Sequence, residues 1–133
     1  MQISATVISA PSQHGVSLRT GQNLQSLAVP PKAGGGSGIN GGEFLMLALA
    51  TCYCNDLYRE AGRLGLELSR VEVEATASFA AVGLAASNVR YRAKVQSSAP
   101  PEAVERLLRE TDAVAEVHNT LRAGVSVELV PWL

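Results

Sequence analysis

Residues 38–62 read GINGGEFLMLALATCYCNDLYREAG and contain both cysteines of the chain, Cys52 and Cys54. Asn40 stands three residues before Glu43, the spacing of a capping box in which each side chain closes a backbone amide of the other. A helix is therefore predicted to start near Gly41 and to stop at Gly62 or Gly65. Its first three turns, FLMLALATCYC, are apolar on every side, and such a helix belongs in the middle of a structure, covered on more than one face. The last turns, NDLYREAGR, become amphipathic and reach the surface.

The flanking sequence supplies what covers it. Ile3, Ala5 and Val7 alternate with Ser4 and Thr6 as in a strand, and PSQHG breaks the run, with His14 in a loop. GVSLRT, a turn at Thr20-Gly21 and NLQSLAV make a hairpin that ends at Pro30-Pro31. The glycine-rich loop KAGGGSGING follows. It lacks the Lys-Ser/Thr ending of a phosphate cradle and needs no ligand. After the helix, Val71, Val73, Ala75, Ala77 and Phe79 alternate with Glu72, Glu74, Thr76 and Ser78. Val89, Tyr91, Ala93 and Val95 then alternate with Arg90, Arg92 and Lys94. One strand has an acidic outer face and the next a basic one, the pattern of antiparallel neighbours with complementary charge. Val104, Leu107, Leu108, Thr111, Val114, Ala115, His118 and Leu121 repeat at helical spacing, with a possible break at Thr111-Asp112. Gly124 closes that region and VSVELV reads as a final strand. The order is three strands, a buried helix, two strands, one or two helices and a strand, an α+β fold in a single domain over residues 1–133.

One chain of this length offers the central helix one sheet face, and a second copy could offer the other. A two-fold homodimer with a large interface is expected. The composition narrows the partners. At 133 residues the chain can bury a real core, and 47% hydrophobic against 17% charged residues argues against disorder. A net charge of −1 gives no field for nucleic acid or anionic lipid, and the basic stripe on the second strand reads as a neutralised sheet face. The apolar run from Phe44 to Cys54 falls short of the ~20 residues of a membrane helix. MQISATVISAP lacks the basic and apolar regions of a secretory signal. The expectation is a cytoplasmic protein with reduced thiols, no cofactor and no bound metal.

Residues two apart on a helix diverge by ~200°. Cys52 and Cys54 therefore face opposite sides, and neither a disulfide nor metal chelation by the pair fits an intact helix. Cys52 shares its face with Ala48, Asn55 and Asp56; Cys54 lies near Ala50 and Tyr58. Free cysteine is commonly a small buried hydrophobe, and only environment makes it a thiolate. Cys52 lies three turns into the helix, beyond the dipole at its start. A lowered thiol pKa would need an arginine or another cation brought in by folding.

The glycine-rich loop followed by GINGGEFLMLALATCY resembles the osmotically inducible / organic hydroperoxide resistance (OsmC/Ohr) family. That family's central helix opens with Gly-x-Asn-Pro-Glu and reaches an Ala-x-Cys-Phe-type sequence carrying the peroxide-reacting cysteine. The matching residues are Asn40 and Ala50-Thr51-Cys52, and the likeness runs on through the charged hairpin to LRAGVSVEL. It implies a two-fold dimer of intertwined subunits, each with three strands, a buried central helix, two strands, two short helices and a strand. It also implies Cys52 as the thiol that attacks a hydroperoxide.

The chain departs from the family pattern at three places. The second, resolving cysteine of the family's Cys-Pro-Val-Ser/His motif is matched by AEVH, so Ala115 holds its position and only Val117 and His118 fit. Asn-Pro-Glu has become NGGE, which puts Glu43 one residue late for the glutamate that holds the family's active-site arginine. That arginine aligns near Ser12 to His14, where none stands, and Arg19 is the candidate only in a different register. The resemblance implies a thiol-dependent peroxidase acting on organic hydroperoxides or hydrogen peroxide. Cys52 would be the nucleophile, Arg19 and Glu43 its activating pair, and an external thiol the reductant, with Cys54 as a secondary thiol if the helix unwinds. The departures support a second reading, a degenerate dimer that binds a small molecule or serves a structural role. A hotdog-type thioesterase ranks last, because residues 101–121 read as helical where that fold needs strands. His118 fits a core or interface histidine better than a ligand or base.

Overall fold

The computed structural model describes residues 1–132. Its elements are β1 (Ile3–Ala10), β2 (Gln13–Thr20), β3 (Asn23–Ser26), α1 (Gly41–Leu64), β4 (Arg70–Ser78), β5 (Ser87–Gln96), α2 (Pro101–Val114) and α3 (Glu116–Ala123). The fold is α+β, as expected, and the chain forms two compact units that divide after Phe44.

In the first unit, β1, β2 and β3 make an antiparallel sheet in that order. Ala10 pairs with Gln13 and Thr20 with Asn23, so both connections are two-residue turns. Ser12 and Gly21 take the left-handed conformation that such turns require. The break in the first strand is thus confined to Pro11-Ser12. His14, expected in a loop, is a strand residue opposite Ser9. The glycine-rich segment returns to β1, where the Gly36 amide donates to Ser9 Oγ at 3.0 Å, and the Gly38 amide donates to the Pro30 carbonyl at 2.7 Å. A Cβ on Gly38 would stand 3.1 Å from Pro30, too close for any side chain without movement.

The capping box forms at the start of α1. The Glu43 amide donates to Asn40 Oδ1 at 2.7 Å, and the Asn40 amide donates to Glu43 Oε1 at 3.0 Å. At the far end Gly65 adopts a φ of +71°. The Leu66 amide then reaches back to the Ala61 carbonyl at 2.8 Å and the Gly65 amide to Gly62 at 3.3 Å. This is a Schellman stop, which needs glycine because a Cβ disfavours the left-handed conformation.

In the second unit, β4 and β5 form a hairpin with a bulge between Thr76 and Ser78. Its outer face carries the expected opposed charges. Glu74 faces Arg92, whose Nε lies 2.8 Å from the carboxylate, and Glu72 faces Lys94. Val71, Val73, Tyr91, Ala93 and Val95 turn inward onto a core of Tyr53, Leu57, Ala61, Leu107 and Ala115. The C-terminal half of α1, with α2 and α3, covers that inner face.

Three details differ from the sequence reading. The break between α2 and α3 falls at Ala115, which is extended (φ −73°, ψ 106°), and not at Thr111-Asp112. Thr111 stays inside α2 because its side chain is fully buried. The apolar half of α1 is only partly covered, and Leu47 is 55% exposed. The final strand does not form: residues 125–132 are irregular and exposed, with Val127 97% exposed. A strand needs a partner edge for its amides and carbonyls, and among the described residues none pairs with it.

Leu107 is fully buried against α1. Leu107→Ala should cost about 2–5 kcal/mol of unfolding free energy, whereas Val127→Ala in the uncovered tail should leave the urea midpoint of the isolated chain nearly unchanged. Equal losses for both would refute this core.

Candidate active site

Cys52 is half-buried on the face of α1 that continues to the buried Asp56. Helical spacing of four residues brings the two side chains together, and the Cys52 thiol lies 3.6 Å from Asp56 Oδ2. The extended residue Ala115 turns the chain so that α3 begins beside the thiol. Glu116 places Oε2 3.8 Å from the sulfur, and the Val117 backbone amide beside it favours the thiolate. Arg59, one turn further along α1, closes the group: its Nη1 lies 3.0 Å from Asp56 and 3.6 Å from Glu116. Its Nε also meets Glu60, at 3.4 Å.

The electrostatics of the thiol are a contest. Burial pushes the Cys52 pKa up, the Val117 amide pulls it down, and the charges of Asp56 and Glu116 push it up again; the net direction is upward. Burial and the neighbouring Glu116 likewise raise Asp56, against the pull of Arg59. Glu116 moves the other way, held down first by its own backbone amide and then by Arg59 against a small burial cost. One ligand atom each from Cys52, Asp56 and Glu116 lies within 4.8 Å of the others. These are the side chains that could hold a metal, although a guanidinium already bridges both carboxylates.

The sequence reading selected Cys52, Glu43, Arg19, Cys54 and Ala115. Cys54 lies on the other side of α1, with no part in this group. Ala115 is fully buried and forms the corner between α2 and α3, directly before the residues that touch the sulfur. Glu43 is engaged in the helix cap. Arg19 is an exposed β2 residue opposite Ser4 and Leu24. Among the described residues Arg19 forms no ion pair with Glu43. Asp56, Arg59 and Glu116 were missed as site residues. Asp56 shares the thiol's face in the sequence, and an Asp-x-x-Arg continuation of that face is the available signal. Glu116 carried none, because its approach depends on where α2 breaks.

His118 is 3% exposed, a core histidine as its spacing suggested. Burial, with the Arg122 charge, lowers its pKa and keeps the ring neutral. Among the described residues no helix is long and apolar enough to cross a membrane.

A family model described as OsmC-like protein matches residues 34–130. No curated protein sequence matches the chain. Several solved structures share its fold. An OsmC-like protein from Mycoplasma pneumoniae is 16% identical, with a TM-score of 0.64 over 91% of this chain and 86% of its own. An organic hydroperoxide resistance protein OsmC from Legionella pneumophila is 18% identical, with a TM-score of 0.58 over 92% and 90%. An OsmC-like hydroperoxide resistance protein from Jannaschia sp. CCS1 is 13% identical, with a TM-score of 0.56 over 96% and 87%. At these identities the likeness is one of fold.

The charge balance predicts how the thiol responds to pH. A raised pKa favours the protonated form, so alkylation of Cys52 by iodoacetamide in a Cys54→Ser background should rise with pH to a midpoint above the ~8.5 of an ordinary thiol. Removing one negative neighbour should move that midpoint down, so Asp56→Asn should react several-fold faster near neutral pH. An unchanged profile would show that the carboxylates do not govern the thiol.

Proposed function

The chain belongs to the OsmC-like family, and on that premise we propose that it reduces organic hydroperoxides or hydrogen peroxide with Cys52 as its reactive thiol, in defence against oxidants. The hydroperoxide resistance proteins that share its fold support the class of activity. The observation that carries the residue assignment is the approach of the start of α3 to the Cys52 sulfur, where Glu116 Oε2 stands 3.8 Å away and the Val117 amide favours the thiolate. A backbone amide at a helix start stabilises a negative sulfur. Asp56 and Glu116 oppose this, and Arg59 pairs with both acids.

In this reading the Cys52 thiolate attacks the distal oxygen of the hydroperoxide. The S–O bond forms as the O–O bond breaks, the sulfur is oxidised to a sulfenic acid, and the departing alkoxide takes up a proton as an alcohol. Ala115 supplies no second thiol. An external thiol therefore attacks the sulfenic sulfur, releases water and forms a mixed disulfide, and a second thiol equivalent restores Cys52. Arg19, with Glu43, remains the candidate for a further activating cation. We place this cycle in the cytoplasm, where such reductants are present, and read both compact units as one OsmC-like domain. No nucleic acid or membrane partner is assigned.

The second reading is a small-molecule binding or structural dimer that has lost the cycle. Burial of the thiol and its acidic surroundings favour it, since together they push the Cys52 pKa up where the chemistry needs a thiolate.

A dimedone-type probe applied during peroxide treatment should label Cys52 and not Cys54. Cys52→Ser should abolish dithiol-dependent peroxide loss, and Cys54→Ser should largely spare it. Ala115→Cys should form a disulfide with Cys52 on oxidation and turn over faster, although the added sulfur enters a packed site at a cost of about 1–3 kcal/mol. No peroxide-dependent loss of thiol in the wild type would sink the peroxidase reading in favour of the binding dimer.

The homodimer belongs to the same proposal, motivated by the uncovered side of α1 and by the unpaired residues 125–132. Sedimentation equilibrium should give twice the chain mass at micromolar concentration, and a stable monomer there would reject it.

A further inference from the structure

Burial, and after it the charges of Asp56 and Glu116, push the Cys52 pKa up, so at neutral pH the thiol carries its proton. Reduction of a hydroperoxide by a protonated thiol moves a proton as well as an electron pair. The proton must leave the sulfur as the S–O bond forms. The departing alkoxide is a strong base and must gain one.

Two acceptors touch the sulfur, and the structure separates them. Asp56 Oδ2 lies 3.6 Å from it and Glu116 Oε2 3.8 Å. The Asp56 side chain is 7% exposed and that of Glu116 69%. Arg59 Nη1 holds Asp56 by its other oxygen, Oδ1, at 3.0 Å, so the two oxygens are divided between the guanidinium and the thiol. Burial, with the neighbouring Glu116, raises the Asp56 pKa even against Arg59. Glu116 is shifted down, first by its own backbone amide, which makes it the weaker base of the two. The other polar groups nearby do not carry a proton. Arg59 stays charged, and both ring nitrogens of His118 are buried.

We propose that Asp56 is the catalytic acid–base of the Cys52 reaction: its Oδ2 takes the thiol proton as the sulfur attacks, and hands it to the leaving oxygen. The proposal rests on the peroxidase reading and names the group that moves its proton. An electron pair of the sulfur forms the S–O bond to the distal oxygen as the O–O bond breaks. The hydroxyl stays on the sulfur as a sulfenic acid, and the proton from Asp56 turns the departing alkoxide into an alcohol. Asp56 ends as the carboxylate it was at the start. Arg59 is a positioning residue that keeps Oδ2 toward the sulfur. The carboxylate that disfavours a free thiolate thus makes one unnecessary.

These two effects of Asp56 give one substitution opposite signs with different electrophiles. The full chain carrying Cys54→Ser, with Cys52 its single thiol, is treated with iodoacetamide, ethyl hydroperoxide or peracetic acid, and the rate of thiol loss is measured. Iodide and acetate leave without needing a proton, whereas ethoxide needs one. Asp56→Asn should speed alkylation several-fold by removing a negative charge. It should slow ethyl hydroperoxide by about 10²-fold, the lower end for a positioned acid–base group. Peracetic acid, of nearly the same size, should not be slowed. Glu116→Gln, which removes charge without the proton carrier, should speed all three. If Asp56→Asn does not fold, the parent chain decides. Its rate ratio of peracetic acid to ethyl hydroperoxide should be far smaller than that of 2-mercaptoethanol, which has no built-in acid, and an equal ratio would overturn the proposal. An Asp56→Asn protein that is faster with all three electrophiles, or equally slower with all three, would also overturn it while the peroxidase reading stands. A parent chain inert to ethyl hydroperoxide, with Cys52 still labelled by iodoacetamide, would reject both.

Discussion

The hydrogen bond from the Tyr53 hydroxyl to the Leu108 carbonyl, 2.8 Å long, ties the long helix to α2. The same ring meets Tyr91 of β5 edge-on at 4.7 Å and leans on His118 of α3 at 5.9 Å. One side chain of α1 thus touches the hairpin and both later helices. Burial, with the charge of Asp112, pushes the Tyr53 pKa up to about 12, so the phenol stays a donor across physiological pH. Without the Leu108 carbonyl, a buried hydroxyl would be left unpaired at about 1–3 kcal/mol. Because Cys52 is the residue before Tyr53, fixing this ring also fixes the side of α1 on which the thiol meets the start of α3.

What the thiol finds there decides the chemistry available to it. A helix start favours an anion by about 0.3–1 kcal/mol near the surface, and here it contributes the Val117 amide. Partial burial, and after it two carboxylates within 4 Å of the sulfur, act the other way and prevail. Arg59 pairs with both acids, but it is half exposed, and water screens much of what it could return to the thiol. A peroxide-reducing role therefore depends on how far Arg59 can tip this balance. A binding role makes no such demand.

The fold was legible wherever periodicity and end signals agreed. Asn40 and Glu43 announced the start of α1, Gly62 or Gly65 its stop, and the alternation of residues 71–79 and 89–95 gave a hairpin with opposed charges. What escaped was set by tertiary packing. Ala115 carries no breaking signal of its own, yet the chain turns there and Thr111 remains helical, because burial of Leu107 and Thr111 holds α2 together for one turn more. Cys52 was legible from its register and its face. Glu116 was not, since its approach to the sulfur follows from that turn. The VSVELV segment has the alternation of a strand, but alternation states only what a strand would bury and cannot supply the edge it needs.

The uncovered side of α1 bears on the proposed dimer. Leu47, Thr51, Cys54 and Tyr58 follow one another at spacings of four, three and four residues, a single stripe along the helix. Leu47 is 55% and Tyr58 49% exposed in the isolated chain. A stripe of this kind is stabilised only when something apolar covers it, and the proposed second copy has the same stripe to cover. In that dimer Cys54 would lie within the contact and act as a small hydrophobe, shut away from oxidants. Cys52, two residues earlier, faces instead a helix start, two acids and an arginine. The two thiols would then differ through the ~200° that separates them on one helix. In the proposed dimer that rotation would leave one cysteine to assembly and the other to chemistry.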